Sequence, residues 1–202
     1  TIAGTTSSSG SFAVNGAGSI ASTSGDAFDF TASGGTAGSP ANVALTTGVA
    51  MTGAAAGLVA TVTGTGDLSL DTWGAVTGQA GAGILVQDSA SGAGNLAVNV
   101  HAGASASGTT LATINGNPTA QGFSAVQVQN LDSANNGNIS VSTSGTLNGS
   151  QYGIRVQSAG GGSITVATDA STIINSGSSG ISVPNLSAAI SASAHSMLTV
   201  TA

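Results

Sequence analysis

The chain has 202 residues, of which seven are acidic and one is basic, and its formal net charge at pH 7 is −6. Because Arg155 is the sole Lys or Arg side chain, the chain has no basic patch that could bind a phosphate backbone or an anionic membrane. Nucleic acid is therefore not expected as a partner. No stretch approaches 18 uninterrupted apolar residues, so membrane insertion of this segment is not expected either. Charged residues make up 4% of the chain, but its mean hydropathy of +0.34 is too apolar for disorder. The absence of cysteine excludes thiol catalysis and cysteine-bound zinc.

Short segments in which apolar residues alternate with small or polar ones recur along the chain, and they are of two kinds. The first kind, type A, is found at Phe28–Phe30, Leu58–Val62, Ile84–Val86, Val126–Val128, Ile154–Val156 and Ile181–Val183. The second kind, type B, is found at Phe12–Val14, Val43–Leu45, Leu68–Leu70, Leu96–Val98, Ile139–Val141, Ile164–Val166 and Leu198–Val200. The two kinds alternate throughout, and their period of two predicts short β-strands.

A third strand is expected in each repeat, eight residues after the first apolar residue of each type B segment. The positions at this distance are Ile20, Met51, Val76, Ala104, Leu147 and Thr172. Gly, Ser, Asn and Asp stand between the segments and favour corners, and most type B segments directly follow Gly-Ser, Gly-Asp or Gly-Asn. Each repeat is therefore predicted to contain three strands joined by corners.

A strand of three to five residues cannot bury a core alone. Stacked on copies of itself at a spacing of about 4.8 Å, it satisfies its backbone hydrogen bonds and aligns its Val, Ile and Leu side chains in columns. The sequence therefore predicts an all-β fold, a right-handed parallel β-helix (β-solenoid) of about seven coils. Residues 1–202 would form a single β-helix segment of a longer repeat protein.

One repeat is longer than the others. Successive type B segments start 31, 25, 28, 43, 25 and 34 residues apart, and the interval of 43 follows Leu96. The extra length falls within residues 101–122, which we predict to be a loop insertion, and long loops of repeat proteins often carry the binding face. The candidate binding residues in this segment are His101, Leu111, Asn115 and Asn117.

Two further features have both a structural and a functional interpretation. Trp73 follows a type B segment and is either an exposed platform for a sugar ring or the filler of a wide corner. Gln87, Gln129 and Gln157 each follow a type A segment, so they are expected to align between coils. Stacked amides would form a structural ladder, although glutamine is also tolerated at any outward position.

The sequence offers no clear catalytic, cofactor or metal site. A glycosidase needs two converging carboxylates, whereas the seven Asp residues are dispersed along the chain. Asp67 stands where Asn95 and Asn138 stand in other repeats, which indicates a corner residue that caps its own backbone. His101 and His195 have no His or acid beside them in sequence. We therefore expect a protein that is not an enzyme and that uses no cofactor or metal.

The segments Gly94–Val100, Gly137–Leu147 and Gly162–Val166, alternating with Tyr152–Val156, resemble the repeats of bacterial autotransporter passenger domains and filamentous-haemagglutinin-like adhesins. Those families are secreted right-handed β-helices. The resemblance covers nearly the whole chain, is clearest over residues 57–183, and brings no catalytic residues. It implies an extracellular location on the bacterial cell surface, with the translocator and the export signal outside residues 1–202.

Four functions can be compared on this basis. A surface adhesin or rigid stalk would meet a glycan or protein on a host or neighbouring cell. A structural filament would form by self-association, because the end coils present unpaired strands. Ice binding needs a regular outward array of Thr, and the pattern at Thr61, Thr63 and Thr65 is not repeated in other coils. A carbohydrate-active enzyme needs a carboxylate cluster that the sequence does not show. We therefore predict an adhesin or stalk, with the filament as the alternative.

Overall fold

A computed structural model describes residues 1–92, 94–108, 113–114, 117–118, 123–184, 190–194 and 200–201. For the strands at 113–114, 117–118, 190–194 and 200–201 the description covers the backbone. The regular secondary structure in all these ranges is β-strand.

Twenty-one of the strands form three sheets. Sheet A consists of β1 (Ile2–Thr6), β4 (Phe28–Ala32), β7 (Leu58–Val62), β10 (Ile84–Asp88), β15 (Ser124–Asn130), β18 (Tyr152–Ser158) and β21 (Ser179–Ser182). Sheet B consists of β2 (Gly10–Val14), β5 (Val43–Thr47), β8 (Leu68–Thr72), β11 (Leu96–Val100), β16 (Ile139–Thr143), β19 (Ile164–Thr168) and β22 (Ile190–Ala194). Sheet C consists of β3 (Ser19–Ser22), β6 (Ala50–Gly53), β9 (Ala75–Gly78), β12 (Ser105–Gly108), β17 (Thr146–Gly149), β20 (Ile173–Ser176) and β23 (Val200–Thr201). The two remaining strands, β13 (Thr113–Ile114) and β14 (Asn117–Pro118), pair antiparallel.

The chain visits the sheets in the order A, B, C and then returns to sheet A for the next coil. Neighbouring strands within each of the three sheets are parallel, as in the pairings of β5 with β8 and of β8 with β11. This topology is a parallel β-helix with three strands per coil and about six turns. The predicted fold class is confirmed.

The core consists of columns of aliphatic side chains that run from coil to coil. The central inward column of sheet B contains Leu45, Leu70, Val98, Val141 and Val166, each at most 2% exposed. Burying one such side chain contributes about 1.5–3 kcal/mol relative to leaving it in water. Because a strand alternates its side chains between two faces, the residues between these core positions point outward.

Within the described residues, the corners between sheets B and C have two lengths. Two residues separate β8 from β9, whereas four residues, 101–104, separate β11 from β12. The longer corner shifts the register, so Ala106, not Ala104, pairs with Val76. A corner of the same length after β19 places Ile174 rather than Thr172 at the equivalent position. The prediction of Ala104 and Thr172 as third-strand residues was therefore wrong.

Two other strand predictions need correction at the ends of the chain. The first strand of sheet A, Ile2–Thr6, was not predicted because its alternation is weak. The segment Leu198–Val200 was assigned to type B, but the seventh strand of sheet B is Ile190–Ala194. Val200 instead pairs with Ile174 in sheet C. Strands of sheets B and C share the same alternating pattern, so pattern alone did not separate them.

The predicted insertion at residues 101–122 begins within the regular coil. Its residues Ser105–Gly108 are β12 of sheet C, so the extra length lies between Gly108 and Phe123. Apart from β13 and β14, residues 109–122 lie outside the described part of the chain. The strand that follows, β15, is buried at all seven positions, including the outward Gln127 and Gln129.

Candidate functional site

The outer face of sheet B consists of small and polar side chains that alternate with the core residues. One outward column contains Ser11, Ala44, Ser69, Ala97, Ser140 and Thr165. The next column contains Ala13, Thr46, Asp71, Asn99, Ser142 and Ala167. No large side chain stands in these two columns, so the groups at the two edges of the face determine what it can bind.

A ladder of hydrogen bonds runs along the edge where the chain enters sheet B. Asn42 Oδ1 accepts the backbone N–H of Asp67 at 3.0 Å, and Asp67 Oδ1 accepts that of Asn95 at 2.8 Å. Asn95 Oδ1 accepts the N–H of Asn138 at 2.8 Å, and Asn138 Oδ1 accepts that of Ser163 at 2.9 Å. These residues do stand at corners, as predicted. Their side chains, however, bond the next coil and not their own backbone.

A shallow groove of about 460 Å³ follows this edge. The small side chains of Ser11, Ala44, Ser69 and Ala97 lie along it, and Asn42, Asp67 and Asn95 of the ladder border it. The groove therefore combines a flat floor with carboxylate and amide groups along one wall.

The opposite edge of the face, where the chain leaves sheet B, carries a stacked pair of aromatic rings. Trp73 follows β8 and is 55% exposed, and His101 follows β11 at the equivalent position of the next coil. The two rings are parallel within 5°, and their centroids are 3.7 Å apart. His101 Nε2 lies 2.9 Å from Asp71 Oδ1, and Asn99 Nδ2 donates to the same oxygen at 3.0 Å. The imidazole that supports the indole is thus itself held by a carboxylate.

The second face of the Trp73 indole points toward the preceding coil, where the equivalent residue is Gly48. The Trp73 backbone N–H donates to the carbonyl of Thr47 at 2.8 Å, which joins the two coils at this level. A Cβ built on Gly48 would meet the Asn15 side chain, with Oδ1 2.8 Å away, and nothing else within 4 Å. Because Gly48 has no side chain, it does not cover this face of the indole.

The structure brings together two of the five residues predicted to form a binding surface, Trp73 and His101. Leu111 and Asn115 lie outside the described residues, and Asn117 is described by its backbone in β14. A binding role for these five residues stays a prediction. Asp71 was not predicted, although the coil length could have revealed it, since stacking places Asp71 beside Asn99, 28 positions further along the chain, and His101 follows two residues later.

The three glutamines predicted to form a ladder occupy one column of sheet A. Gln129 Nε2 donates to Gln87 Oε1 at 3.2 Å, and Gln87 Nε2 donates to Thr61 Oγ1 at 3.2 Å. Gln157 is aligned with Gln129, but Gln129 Oε1 accepts its hydrogen bond from Gln127 in its own strand, at 3.1 Å. The side-chain hydrogen bonds between coils therefore run from Gln129 through Gln87 to Thr61.

A buried carboxylate lies at the end of β10, away from the outer face of sheet B. Asp88 is 1% exposed, and its two oxygens accept hydrogen bonds from the Ala90 backbone N–H and from Asn135 Nδ2, each at 2.8 Å. Burial raises the pKa of Asp88, and the two hydrogen bonds offset part of this rise.

Two other carboxylates have shifted pKa values for different reasons. Partial burial, together with the charge of Asp26, raises the pKa of Asp29. Hydrogen bonds from the hydroxyls of Ser144 and Ser171 lower the pKa of the exposed Asp169 to about 2. Asp29 lies on sheet A and Asp169 at a corner after β19, so neither belongs to the groove.

Within the described ranges, no group of three or more His, Cys, Asp or Glu side chains could hold a metal ion. The same residues contain no helix with the length and apolar character needed to cross a membrane. Comparison of the chain with protein-family models, with curated protein sequences and with solved structures found no match. The topology alone therefore defines the class of protein, which is a three-sheet parallel β-solenoid.

Proposed function

We propose that this chain is a segment of a secreted bacterial cell-surface protein and acts as a rigid stalk or adhesin without enzymatic activity. The observation that carries the proposal is the continuity of the three sheets, each of which runs through seven strands. A solenoid of this kind is held together by contacts between neighbouring coils, and each coil extends it by about 4.8 Å. Such a rod suits the display of a binding surface at a distance from its attachment point.

Two further observations support the surface location and the adhesive role. The repeats resemble those of autotransporter passenger domains and filamentous-haemagglutinin-like adhesins. Trp73 is a large aromatic side chain at 55% exposure on an otherwise small-residue face, and exposed aromatic residues on rigid supports often form contact sites. The partner would be a glycan or protein on a host or neighbouring cell, with no nucleic acid partner and no membrane insertion of this segment.

Adhesion can be tested with beads coated with the purified chain and washed over cultured epithelial cells and over bacteria. A matched control carries Leu70→Asp, which puts a charge at a core position that is 0% exposed and should unfold the coil. We expect retention of beads coated with the folded chain and loss of beads coated with the variant. Equal retention of both, or of neither, would contradict an adhesive role.

A second candidate function is a structural filament that grows by end-to-end stacking. Strands β1, β2 and β3 each pair on one side. The inward residues of this first coil are also poorly covered: Ile2 is 49% exposed, whereas its register partner Phe28 is 5% exposed. This end of the solenoid can therefore accept another coil, either from a second copy or from a preceding segment of the same protein.

Sedimentation velocity and negative-stain microscopy over a wide concentration range distinguish the two candidates. Filaments that lengthen with concentration would favour the structural filament and contradict the monomeric stalk. Short rods of constant length at every concentration would favour the stalk or adhesin.

A further inference from the structure

We propose that the outer face of sheet B binds a neutral glycan, with a pyranose ring stacked on the open face of Trp73. This inference rests on the adhesive function proposed above and names the chemical class of the ligand. It depends on the geometry of the indole, on the polar groups beside it and on the charge of the chain.

The indole has the properties of a stacking platform. A pyranose presents a face of C–H groups that packs on an aromatic ring, which must be exposed and fixed in orientation. Trp73 is 55% exposed, His101 supports one side of the ring at 3.7 Å, and Gly48, at the equivalent position of the preceding coil, places no side chain against the other side. The stack fixes the indole before any ligand arrives, so little side-chain entropy is lost on binding.

The corner itself does not require a tryptophan. The two other two-residue corners among the described residues begin with Gly48 after β5 and with Ser144 after β16. These small residues complete the same turn between sheets B and C. A filler of the corner would also be buried, whereas most of the Trp73 side chain is in contact with solvent. Packing of the corner therefore does not explain why a tryptophan stands at position 73.

A hydrogen-bond acceptor stands next to the platform. Asp71 Oδ1 is occupied by His101 and Asn99, but Oδ2 makes no hydrogen bond to any described residue, and the side chain is 31% exposed. A free carboxylate oxygen accepts strong, charge-assisted hydrogen bonds from hydroxyl groups. Sugar hydroxyls project from the edge of a pyranose ring, so a ring stacked on Trp73 would direct them toward such an acceptor.

The direction of the ligand follows from the orientation of the indole. The two faces of the Trp73 ring point along the solenoid, one toward His101 of the next coil and the other toward the preceding coil. A sugar ring stacked on the second face would therefore lie at the level of the preceding coil, outside Gly48. A chain of sugars would then run along β5, past the small residues Thr46 and Ala44, into the groove bordered by Asn42. From 48 back to 42 this path spans about 20 Å at about 3.3 Å per residue, which is room for several sugar units.

The charge of the chain selects a neutral ligand. Asp67 borders the groove and Asp71 lies beside Trp73, whereas the sole Lys or Arg side chain, Arg155, is on β18 of sheet A. An anionic glycan would meet like charges on this face and would find no cationic partner to hold its acidic groups. Neutral hydroxyl-rich chains are therefore expected to bind, and sialylated or uronic acid polymers are not.

The test uses a set of hexaoses of glucose, xylose, mannose and N-acetylglucosamine, with hyaluronan and polygalacturonate as anionic probes. Trp73 is the only tryptophan in the chain, so its fluorescence reports directly on stacking in the unmodified protein. Binding to the Trp73→Ala variant is measured by isothermal titration calorimetry. Tyr152→Ala, which removes an aromatic residue on sheet A, is its matched control.

A second variant blocks the platform without removing it. Gly48→Leu would cover the open face of the indole, and its Cβ would displace only the flexible end of the Asn15 side chain. Gly38→Leu is the matched control, because nothing lies within 4 Å of a Cβ at that position. Circular dichroism and thermal melting check that all four variants keep the fold.

We expect at least one neutral hexaose to bind and to shift Trp73 emission. Trp73→Ala and Gly48→Leu should each weaken this binding about tenfold or more, which corresponds to about 1.4 kcal/mol, while both controls bind as the unmodified chain does. Binding of no probe, tighter binding of the anionic polymers, or binding that both platform variants retain would overturn the proposal. Saturable binding of tetramethylammonium in place of sugars would also overturn it, since a cation can occupy the same aromatic face.

The result separates this inference from the proposed function. If coated beads adhere to cells but the platform variants adhere equally well, the glycan site fails and adhesion stands. If a hexaose binds at Trp73 but coated beads do not adhere, the site stands and the adhesive role fails.

Discussion

Asp88 shows how a single residue of the solenoid couples stability to pH. It is almost fully buried, and burial penalises its charged form, so its pKa is higher in the folded chain than the ordinary value of 3.8. Over the pH window between 3.8 and the raised value, the folded chain holds a proton that the unfolded chain has released. The unfolding free energy contributed by this group therefore rises as the pH falls through that window.

The expected outcome is a gain in stability on mild acidification that depends on Asp88. Urea unfolding at a series of pH values from neutral to just below 3.8 should show a larger gain for the unmodified chain than for Asp88→Asn, which cannot titrate. The difference between the two plots of unfolding free energy against pH gives the contribution of Asp88, because the other carboxylates titrate in both proteins. Parallel curves would contradict the buried, proton-binding role of this side chain.

At the residue scale, the sequence predicts which side chains stand out but not what they touch. Its residue type and its place after a strand single out Trp73, whereas His101 is singled out because it stands at the start of the predicted insertion. Their stacking, and the bond from His101 to Asp71, depend on a register that is set by corner lengths elsewhere in the coil. His101 has no charged neighbour in sequence, but stacking places it next to Asp71 of the preceding coil.

At the element scale, the ladder at the entry to sheet B links each coil to the next. Asn95→Ala removes the acceptor of the Asn138 N–H and the amide that donates to Asp67 at 2.9 Å. Because both bonds are partly accessible to water, we expect a loss of about 0.5–1.5 kcal/mol in the free energy of unfolding. Urea denaturation measures this loss. The control is Asn15→Ala, at an exposed position, whose free energy of unfolding should stay within about 0.5 kcal/mol of that of the unmodified chain. Equal losses in both variants would argue against the ladder.

A column of glycines next to this ladder explains why Gly precedes most type B segments. A Cβ on Gly137 would overlap the carbonyl oxygen of Gly94 in the adjacent coil, and the same relation joins Gly162 to Gly137. Gly137→Ala should therefore cost about 1–3 kcal/mol through overpacking. Gly38→Ala, which has open space around it, should be nearly neutral in the same denaturation assay. A neutral Gly137→Ala would contradict the close contact between coils.

The alternating pattern predicts the strands of sheets A and B better than the register of sheet C. Alternation of apolar residues identified the strands of sheets A and B from Phe28 to Val166, because most of their inward positions carry Val, Ile, Leu or Phe. Ala104 and Ala106 are both small and both buried, so composition could not choose between them. The four-residue corner after β11 settles the choice, and its length has no distinct signal in the sequence.

At the scale of the whole molecule, stability comes from contacts between neighbouring coils, so the position of a coil decides how firmly it is held. The central strand β8 pairs on both sides, and its core residue Leu70 is 0% exposed. The first-coil strand β2 pairs on one side, and its inward Phe12 is only partly buried although it aligns with Leu45. The first coil should open locally at a lower free energy than the centre of the solenoid.

Amide hydrogen exchange followed by mass spectrometry tests this gradient and the two candidate functions together. At low protein concentration, peptides that cover β1 to β3 should exchange faster than peptides that cover β7 to β9, because the first coil lacks a second neighbour. For a stalk or adhesin this difference should persist at high concentration, since the end coil stays uncovered. End-to-end stacking would instead pair the edge strands and cover Ile2, so protection of the first coil would rise with concentration until it approached that of the centre. Uniform exchange at every concentration would contradict a stability set by contacts between neighbouring coils.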